Sequence, residues 1–457
     1  MQMIEERITL ESLMVHFWHV LCTHKGKVLK KGEGGIPAAT AEAEALFNSS
    51  CCRSPRRLRS AMMLPGRLLL AGLLRSASTA SSAPRMPKNM GCWDRFTWSS
   101  CYFHSTIDNT SSKAGLTAKE QLDPLALIKH EVSEVTDRLR SMVVAEVPEL
   151  TSAAGYFFRA GAEGKRTCPT VLLLMASAIS MEMTDGLENR PRARHMRVAE
   201  ITEMIHIASL IHDDVLDDAD TRRGMDSLNF TVGKKLAVLA GDFLLFRAFS
   251  AAVSLDNTEV LSLLATAVNN LVTGELMQMS ITPAQRCSMD YYLQKTYYKT
   301  AALISNSCKA IAVLAGQTPE VQALAYQYGR HLGMAYQLID DILDFTGTSA
   351  SLGKASLSDI HQGIVTAPIL FAIEEFPELH EIVEKGFDDP SNVEMVRIAL
   401  KYLSKSQGIE RTRLLAAEHA KLAADAIDGL PESEDQVILD SRQALKDLTQ
   451  KFMRRTK

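Results

Sequence analysis

The sequence lacks the cysteine spacing that marks a structural metal site or a disulfide framework. Its eight cysteines are scattered over 457 residues, and the only close pair is the adjacent Cys51-Cys52. No CxxC pair occurs, which excludes the usual zinc-finger and zinc-ribbon arrangements. A reducing compartment without structural zinc is therefore expected.

Charge excess and long apolar runs are missing as well. Lys and Arg number 50 against 54 Asp and Glu, so the formal charge is only −4. This near balance gives no case for nucleic-acid binding, which depends on a basic surface. No uninterrupted apolar run reaches the roughly 18 residues of a transmembrane helix, so none is predicted. With 46% hydrophobic residues, the chain can build a sizeable core.

Acidic residues are absent from Ala45 to Trp93, where eight Lys and Arg residues lie among Ser, Ala and Leu. An acid-free stretch rich in Arg and Ser that can form a basic amphipathic helix is typical of an organelle transit peptide. We therefore expect a mitochondrial location, with the plastid as the alternative. The competing interpretation is a disordered tail that carries no targeting signal.

The transit-like composition starts near Met62-Met63 rather than at residue 1. We therefore expect residues 1–61 to be an upstream extension. Amino-terminal sequencing of the native protein would test this expectation. Residues 62–120 are interpreted as the transit-like segment and a linker, and 121–457 as the folded domain.

Helical periodicity runs through most of 121–457. Apolar residues recur every three or four positions, and short segments with Gly, Pro, Asp or Asn separate the periodic stretches. No convincing alternating strand pattern occurs. The prediction is an all-α bundle of ten or more helices, with helices that are apolar all round forming a central buried hairpin.

Two D-D-x-x-D clusters, each at the end of an apolar helix, are the main chemical feature. The first consists of Asp213, Asp214 and Asp217, and the second of Asp340, Asp341 and Asp344. Positions i and i+4 share one face of a helix, and crowded carboxylates repel unless a cation lies between them. Mg²⁺ prefers a few carboxylates plus phosphate oxygens. One such cluster could be a solvated surface, but two in one chain favour a metal site.

Basic residues near these clusters suit phosphate groups. Gly164-Lys-Arg-Thr-Cys-Pro169 places two cations beside a glycine before a helix, and Arg222-Arg223 follows the first cluster. Arg binds phosphate through two parallel hydrogen bonds, and Lys as a point charge. Arg222 and Arg223 could equally form salt bridges with the preceding acids. His206 lies seven residues before Asp213, so it falls on nearly the same helix face.

In this order, the motifs resemble those of the all-trans polyprenyl diphosphate synthases, especially the long-chain solanesyl and decaprenyl type. The resemblance covers about 122–457. It implies an all-α fold of the isoprenoid synthase type around a deep central cavity, usually dimeric, with the aspartate motifs facing each other. It also implies Mg²⁺-dependent head-to-tail condensation of isopentenyl diphosphate onto an allylic prenyl diphosphate, giving a long all-trans product for a quinone side chain.

The resemblance also implies roles for individual residues. All six aspartates would be catalytic and hold the allylic diphosphate through Mg²⁺, with metal ligands at Asp213, Asp217, Asp340 and Asp344. Isopentenyl diphosphate would be bound by Lys165, Arg166, His206 and Arg223. The allylic diphosphate site would be lined by Arg222, Lys299, Thr300, Gln337 and Lys354.

Two positions bear on the variant of this chemistry that the chain performs. The family pattern is G-K-R-x-R-P, and Cys168 replaces its second Arg, so weaker binding of isopentenyl diphosphate is expected. In the family, bulky aromatics four and five positions before the first Asp limit product length. Here these positions are Ser209 and Ala208, which predicts a product of roughly 40 to 50 carbons whose chain buries against apolar wall residues. Alternatively, Ser209 and Ala208 are small only because this allows close packing between helices.

Three alternatives stay open. Terpene cyclases usually pair D-D-x-x-D with a mixed Asn/Ser/Glu motif, whereas the second motif here is again aspartate. A di-iron carboxylate bundle needs a second partner for Glu203-x-x-His206, and no convincing one occurs. A non-catalytic or regulatory subunit of a heteromeric synthase is suggested by Cys168, although two complete acidic clusters argue against it. A homodimer is the expected assembly, with a heteromer as the alternative.

Overall fold

The structure, a computed structural model, describes residues 127–158, 164–179, 189–347, 357–386 and 393–455. Almost all regular structure in these ranges is helical, which confirms the all-α prediction. The predicted segments 1–61 and 62–120 lie outside the described residues. In chain order the helices are α1 (Lys129–Met142), α2 (Pro148–Ala154), α3 (Thr167–Ala178), α4 (Asn189–Leu216), α5 (Leu228–Val232), α6 (Lys234–Val253), α7 (Thr258–Met279), α8 (Pro283–Arg286), α9 (Met289–Thr296), α10 (Ala302–Leu314), α11 (Pro319–Thr346), α12 (Ser358–His361), α13 (Ala367–Glu375), α14 (Glu378–Gly386), α15 (Val393–Leu403), α16 (Gly408–Asp428) and α17 (Gln436–Met453).

The two longest helices, α4 and α11, carry the aspartate clusters near their ends. At the start of helix α11, the Thr318 side chain accepts a hydrogen bond from the Val321 N–H, and Pro319 occupies the first turn. Helix α4 ends at Leu216, so Asp217 follows it directly. The ends of both helices lie beside other elements, which supply the remaining side chains of the site.

Helices α10 and α11 form a hairpin, and two glycines set their spacing. A Cβ at Gly329 would lie 2.7 Å from the Ser305 Cα, and one at Gly333 would lie 2.6 Å from the Ala301 Cα. Real Cβ contacts are not that short, so glycine allows the two backbones to touch. Because of this approach, the turn before α10 lies directly against α11, where the second cluster begins.

Helix α11 joins two hydrophobic clusters of the domain. Its first half, including Tyr328, packs in the main core with α3, α4, α6, α7 and α10. Its second half, from Leu338 to Leu343, packs in a smaller cluster with α13, α14 and α15. The second aspartate motif therefore lies within a helix that is fixed on both sides by apolar burial.

Helices α6 and α7 are long and apolar enough to cross a membrane, judged by length and composition only. The sequence predicts no transmembrane helix because no uninterrupted apolar run of that length occurs, whereas this criterion also admits helices with up to two charged residues. Burial covers 39% of the most apolar part of α6 and 28% of that of α7. A core helix passes the same test, so the finding is weak evidence for a membrane segment.

Candidate active site

The first aspartate cluster lies where α4 ends. The Asp217 N–H donates to the Asp213 carbonyl at 2.8 Å, so helical geometry continues to Asp217 and the two side chains share one face. Asp214 is buried and accepts a 2.6 Å hydrogen bond from Arg222 Nε. Asp213 and Asp217 therefore face the site, whereas Asp214 holds Arg222 in place.

Repulsion among carboxylates marks this cluster. Burial, together with the charges of Glu275 and Asp217, raises the pKa of Asp213 to about 7, although Lys299 opposes the shift. Partial desolvation, with the charges of Glu275 and Asp214, also raises the pKa of Asp217, and Lys299 again opposes the shift. A divalent cation would relieve this crowding, so the residues present fit Mg²⁺. Among the described residues, no group of three or more His, Cys, Asp or Glu side chains is arranged to hold a metal ion.

Lys299 lies opposite the first cluster on a π-helical turn, Tyr297–Ala301. Its Nζ is 2.5 Å from Glu275 Oε2. Burial works against its charge, but Asp213, Glu275 and Asp217 together raise the pKa of Lys299. A Cβ at Gly274 would lie 2.7 Å from the Lys299 Cγ, so glycine is needed for this approach. Such π-turns are frequent at functional sites.

The second cluster is held by a chain of hydrogen bonds. Thr300 Oγ1 donates to Gln337 Oε1, and Gln337 Nε2 donates to Asp341 Oδ1, each at 2.9 Å. The Tyr292 hydroxyl donates to the other Asp341 oxygen. Burial, followed by the nearby charge of Asp359, raises the pKa of Asp341 to about 7. Thr300 and Gln337, predicted to line the allylic site, thus also fix Asp341.

Asp340 and Asp344 have very different surroundings. Asp340 is partly exposed, and its Oδ1 lies 3.1 Å from Arg455 Nη2. Asp344 is 1% exposed. It accepts hydrogen bonds from the Ser358 N–H at 3.2 Å, the Ser358 hydroxyl at 3.0 Å and the Asp359 N–H at 3.2 Å. Of the two predicted metal ligands, only Asp340 is open to solvent.

Replacement of Asp344 by Asn is expected to destabilise the protein rather than weaken metal binding. An amide NH₂ would face N–H donors in a buried position, which costs about 1–3 kcal/mol. Urea unfolding should report this loss, and titration with Mn²⁺ should give an unchanged dissociation constant. Asp340→Asn is the matched control and should weaken Mn²⁺ binding without the same loss of stability. A clear loss of Mn²⁺ affinity in Asp344→Asn alone would contradict this assignment.

Two buried or half-buried cations connect the clusters. Lys299 interacts with Asp213 and Asp217, and Lys295, one helical turn earlier, interacts with Asp341 and Lys299. Burial lowers the pKa of Lys295, and its Nζ lies 5.8 Å from the centre of the Tyr292 ring. A cavity of about 520 Å³ borders Asp217, Lys295 and residues 361–365. Lys295 and Lys299 therefore link the two aspartate motifs, and their joint use as one active site stays a prediction.

The basic residues form a second part of the site. Arg223 and Gly224 have φ values of 55° and 78° and join the two-residue strands Thr221–Arg222 and Met225–Asp226. Positive φ at both central positions is typical of a type I′ hairpin turn. A Cβ at Gly164 would lie 2.9 Å from Arg223 Nη1. The hairpin arginine therefore lies beside the G-K-R segment, where Lys165 is exposed.

Arg166, next to Lys165 in the chain, is buried in an ion pair. Its side chain is 8% exposed, and its Nη1 lies 2.9 Å from Glu203 Oε1. Its guanidinium also lies 5.0 Å from the centre of the Phe158 ring. The predicted substrate contact of Arg166 is thus replaced in this structure by a buried ion pair. Burial and nearby arginines, Arg223 among them, lower the pKa of His206 against the opposing charge of Glu203, so its imidazole is neutral at pH 7.

The remaining predicted positions differ in what the structure describes. Ala208 is fully buried in the main core, whereas Ser209 is half-buried and donates to the His206 carbonyl at 2.8 Å. Cys168 is half-buried, and desolvation, Glu203 and Cys308 raise the pKa of its thiol. Lys354 lies outside the described residues.

Sequence reasoning missed Glu275, Lys295, Tyr292 and Arg455. Each is separated from its aspartate partner by many residues, so no local spacing connects them. Gly274-Glu275 was the only available signal, because a glycine inside an apolar helix often marks a close approach.

Comparison with known proteins agrees with this geometry. Residues 147–403 match the family model described as polyprenyl synthetase. The chain is 60% identical over 378 residues to "Solanesyl-diphosphate synthase 1, mitochondrial" of Oryza sativa, covering 81% of this chain and 87% of that protein. It is also 60% identical over 347 residues to "Solanesyl diphosphate synthase 3, chloroplastic/mitochondrial" of Arabidopsis thaliana, covering 74% and 82% of the two chains.

Solved structures agree at the level of the fold. The apo form of an Arabidopsis medium/long-chain length prenyl pyrophosphate synthase matches with a TM-score of 0.60 and 55% identity, over 74% of this chain and 100% of that one. A polyprenyl synthase from Caulobacter crescentus, complexed with calcium and isoprenyl diphosphate, matches with a TM-score of 0.65 and 28% identity, over 75% and 100%. By family model, sequence identity and fold, the chain belongs to the polyprenyl synthetase family.

Proposed function

We propose that this protein condenses isopentenyl diphosphate head to tail with an allylic prenyl diphosphate and makes a long-chain all-trans polyprenyl diphosphate. The observation that carries the proposal is the pair of aspartate clusters joined through Lys295 and Lys299. The two solanesyl synthase relatives support a product of solanesyl class, whose apolar chain would gain about 25 cal/mol per Å² on burial.

The chemistry needs charge stabilisation rather than a protein nucleophile. Mg²⁺ held by Asp213, Asp217 and Asp340 would neutralise the diphosphate as it leaves. Lys299 stands beside the first cluster with a raised pKa, so it is positively charged and suited to an oxygen of the leaving group. The carbocation left on the allylic chain is attacked by the double bond of isopentenyl diphosphate, and loss of a proton completes the step. The site must exclude water, which would quench the cation.

Lys165, His206 and Arg223 are the proposed ligands of isopentenyl diphosphate. Gly164, next to Lys165 in the chain, lies beside Arg223, and His206 interacts electrostatically with Glu203, Arg223 and the buried Arg166. Arg223 can bind a phosphate with two parallel hydrogen bonds, and Lys165 as a point charge. The neutral imidazole of His206 can donate one further hydrogen bond.

Cys168→Arg is expected to lower the KM for isopentenyl diphosphate about tenfold, with little change in kcat, since one added charged hydrogen bond contributes about 1.5 kcal/mol. Glu203 Oε2 is buried without a hydrogen-bond partner, so it offers the new guanidinium an anchor. Initial-rate kinetics at saturating allylic primer would measure the change. Cys168→Met, of similar length but uncharged, is the control and should leave the KM unaltered. An equal KM in both variants would remove position 168 from the substrate site.

The direct test of the activity is an elongation assay of the purified protein. With Mg²⁺, isopentenyl diphosphate and farnesyl or geranylgeranyl diphosphate, we expect a long prenyl product by chromatography, and none after chelation of the metal. Failure to elongate either primer would favour the non-catalytic subunit, an alternative that finds no support among the relatives.

The proposed location is the mitochondrion, with the plastid as second possibility. The relatives in rice and Arabidopsis carry mitochondrial and chloroplastic/mitochondrial names. The acid-free basic stretch before the domain agrees with import. A polyprenyl product would then serve as a quinone side chain. We further propose that translation begins at Met62 or Met63; mass spectrometry that finds earlier residues in the precursor would contradict this.

A homodimer is the proposed assembly. Leu239 and Phe246 on α6 are 57% and 50% exposed, and Val272 and Met279 on α7 are 49% and 59% exposed. Such a concentration of exposed apolar side chains is typical of a protein interface. Sedimentation of the wild type should give twice the monomer mass, and Phe246→Asp should shift it towards the monomer. A monomeric wild type would leave the heteromer as the alternative.

A further inference from the structure

Arg455, just beyond the end of α17, reaches back to the second aspartate cluster. Its Nη2 donates to the Tyr336 carbonyl at 2.7 Å and to Asp340 Oδ1 at 3.1 Å. The guanidinium lies 3.7 Å from the centre of the Tyr336 ring. The side chain is only 11% exposed. The contact therefore fixes a residue from the end of the domain on the one carboxylate of this cluster that is open to solvent.

The pair is incompletely satisfied on the arginine side. Arg455 Nε is buried and has no hydrogen-bond partner. Burying an N–H donor without a partner costs free energy. The contacts of the guanidinium with Asp340, the Tyr336 carbonyl and the Tyr336 ring offset that cost. Asp340 is 42% exposed, and solvent therefore reaches it without displacement of the guanidinium. Another cation from solvent can therefore replace the Arg455 guanidinium as the counter-ion of Asp340.

We propose that Arg455 is a positioning residue that neutralises Asp340 in the substrate-free protein and competes with the divalent cation for it. The inference rests on the proposed function only in taking Asp340 as a metal ligand. The guanidinium on Asp340 Oδ1 neutralises part of the negative charge that this carboxylate offers to a metal ion, so the two cations compete for it electrostatically. The second cluster would consequently load its metal fully only when diphosphate oxygens add further ligands. Arg455 would thus impose an order in which substrate and metal bind together at this cluster.

Titration of the substrate-free protein with Mn²⁺, followed by electron paramagnetic resonance, tests the competition without any turnover. Arg455→Gln should tighten Mn²⁺ binding about 5- to 10-fold, the size expected for loss of one competing charge in a partly exposed site. Arg454→Gln is the matched control, because it removes the same charge one residue earlier from an exposed side chain, and it should leave the affinity unchanged. Arg455→Lys keeps the charge but loses the planar set of N–H donors of the guanidinium. Its Mn²⁺ affinity should lie between those of the wild type and Arg455→Gln.

A double-mutant cycle locates the effect. In an Asp340→Asn background, Arg455→Gln should no longer change Mn²⁺ affinity, because the shared carboxylate is gone. Thermal unfolding of each variant checks that the fold is intact. Equal Mn²⁺ affinity in wild type and Arg455→Gln, or the same gain in Arg454→Gln, would overturn the inference while leaving the elongation activity untouched. If the wild-type protein fails to elongate a primer while the Arg455 variants still show the predicted changes in Mn²⁺ affinity, the proposed function is overturned and this inference stands.

Discussion

Asp213→Asn is expected to lower kcat about 10²- to 10³-fold, the effect of removing one stabilising group from a developing charge. Asp213 lies on the open side of the first cluster, close to Asp217, Glu275 and Lys299. Its loss removes a proposed metal ligand and leaves Lys299 without one of its anionic neighbours. Initial rates at saturating Mg²⁺ and both diphosphates would measure the effect. Asp218→Asn is the control: Asp218 is exposed and paired with Lys234, and its kcat should remain near that of the wild type.

The same substitution should not destabilise the metal-free protein. The pKa of Asp213 is about 7 in the folded state, well above the value of about 3.9 in an unfolded chain. A raised pKa means that the folded state holds an extra proton, so this group's contribution to stability is present at low pH and is lost as pH rises from about 4 to 7. Asn carries no charge at any of these pH values. Urea unfolding at pH 7 should therefore find Asp213→Asn at least as stable as the wild type; a marked loss would contradict this account of the cluster.

Ala208→Phe is expected to shorten the product by several five-carbon units. Position 208 lies on α4, between the first aspartate cluster and the apolar wall formed by Met204 and Ile205, both fully buried. A phenyl ring in place of a methyl group would obstruct the space into which the chain grows. Because Ala208 is itself fully buried, the ring also overpacks the core, at a cost of about 1–3 kcal/mol. Chain-length analysis of the products and thermal unfolding should therefore change together.

Two further variants separate the effect on product length from the loss of stability. Ser209→Phe, at a half-buried position, should also shorten the product but with a smaller loss of stability. Leu379→Ala lies in the second hydrophobic cluster, where Leu379 is fully buried. It should destabilise the protein by about 2–5 kcal/mol and leave the product length as it is. An unchanged product distribution in both Phe variants would show that α4 does not form the floor of the cavity.

Much of this protein follows from its sequence alone. Apolar residues that recur every three or four positions predicted an all-α bundle, and the described residues are almost entirely helical. The repetition of D-D-x-x-D, with Asp213 and Asp340 at the ends of apolar helices, predicted both halves of the proposed metal site. These features are local: each depends on residues within a few turns of one helix, where spacing fixes the direction of a side chain.

The tertiary structure decided which of these groups are available for chemistry. Asp341 is held by Tyr292, 49 residues away, and Asp340 by Arg455, 115 residues away. Identical carboxylates of one motif consequently differ, since Asp344 is buried among N–H donors and Asp340 remains open to solvent. Spacing along the chain cannot reveal this, because burial and hydrogen-bond partners depend on which distant helices pack together, and those two factors determine whether a carboxylate can take up a metal ion.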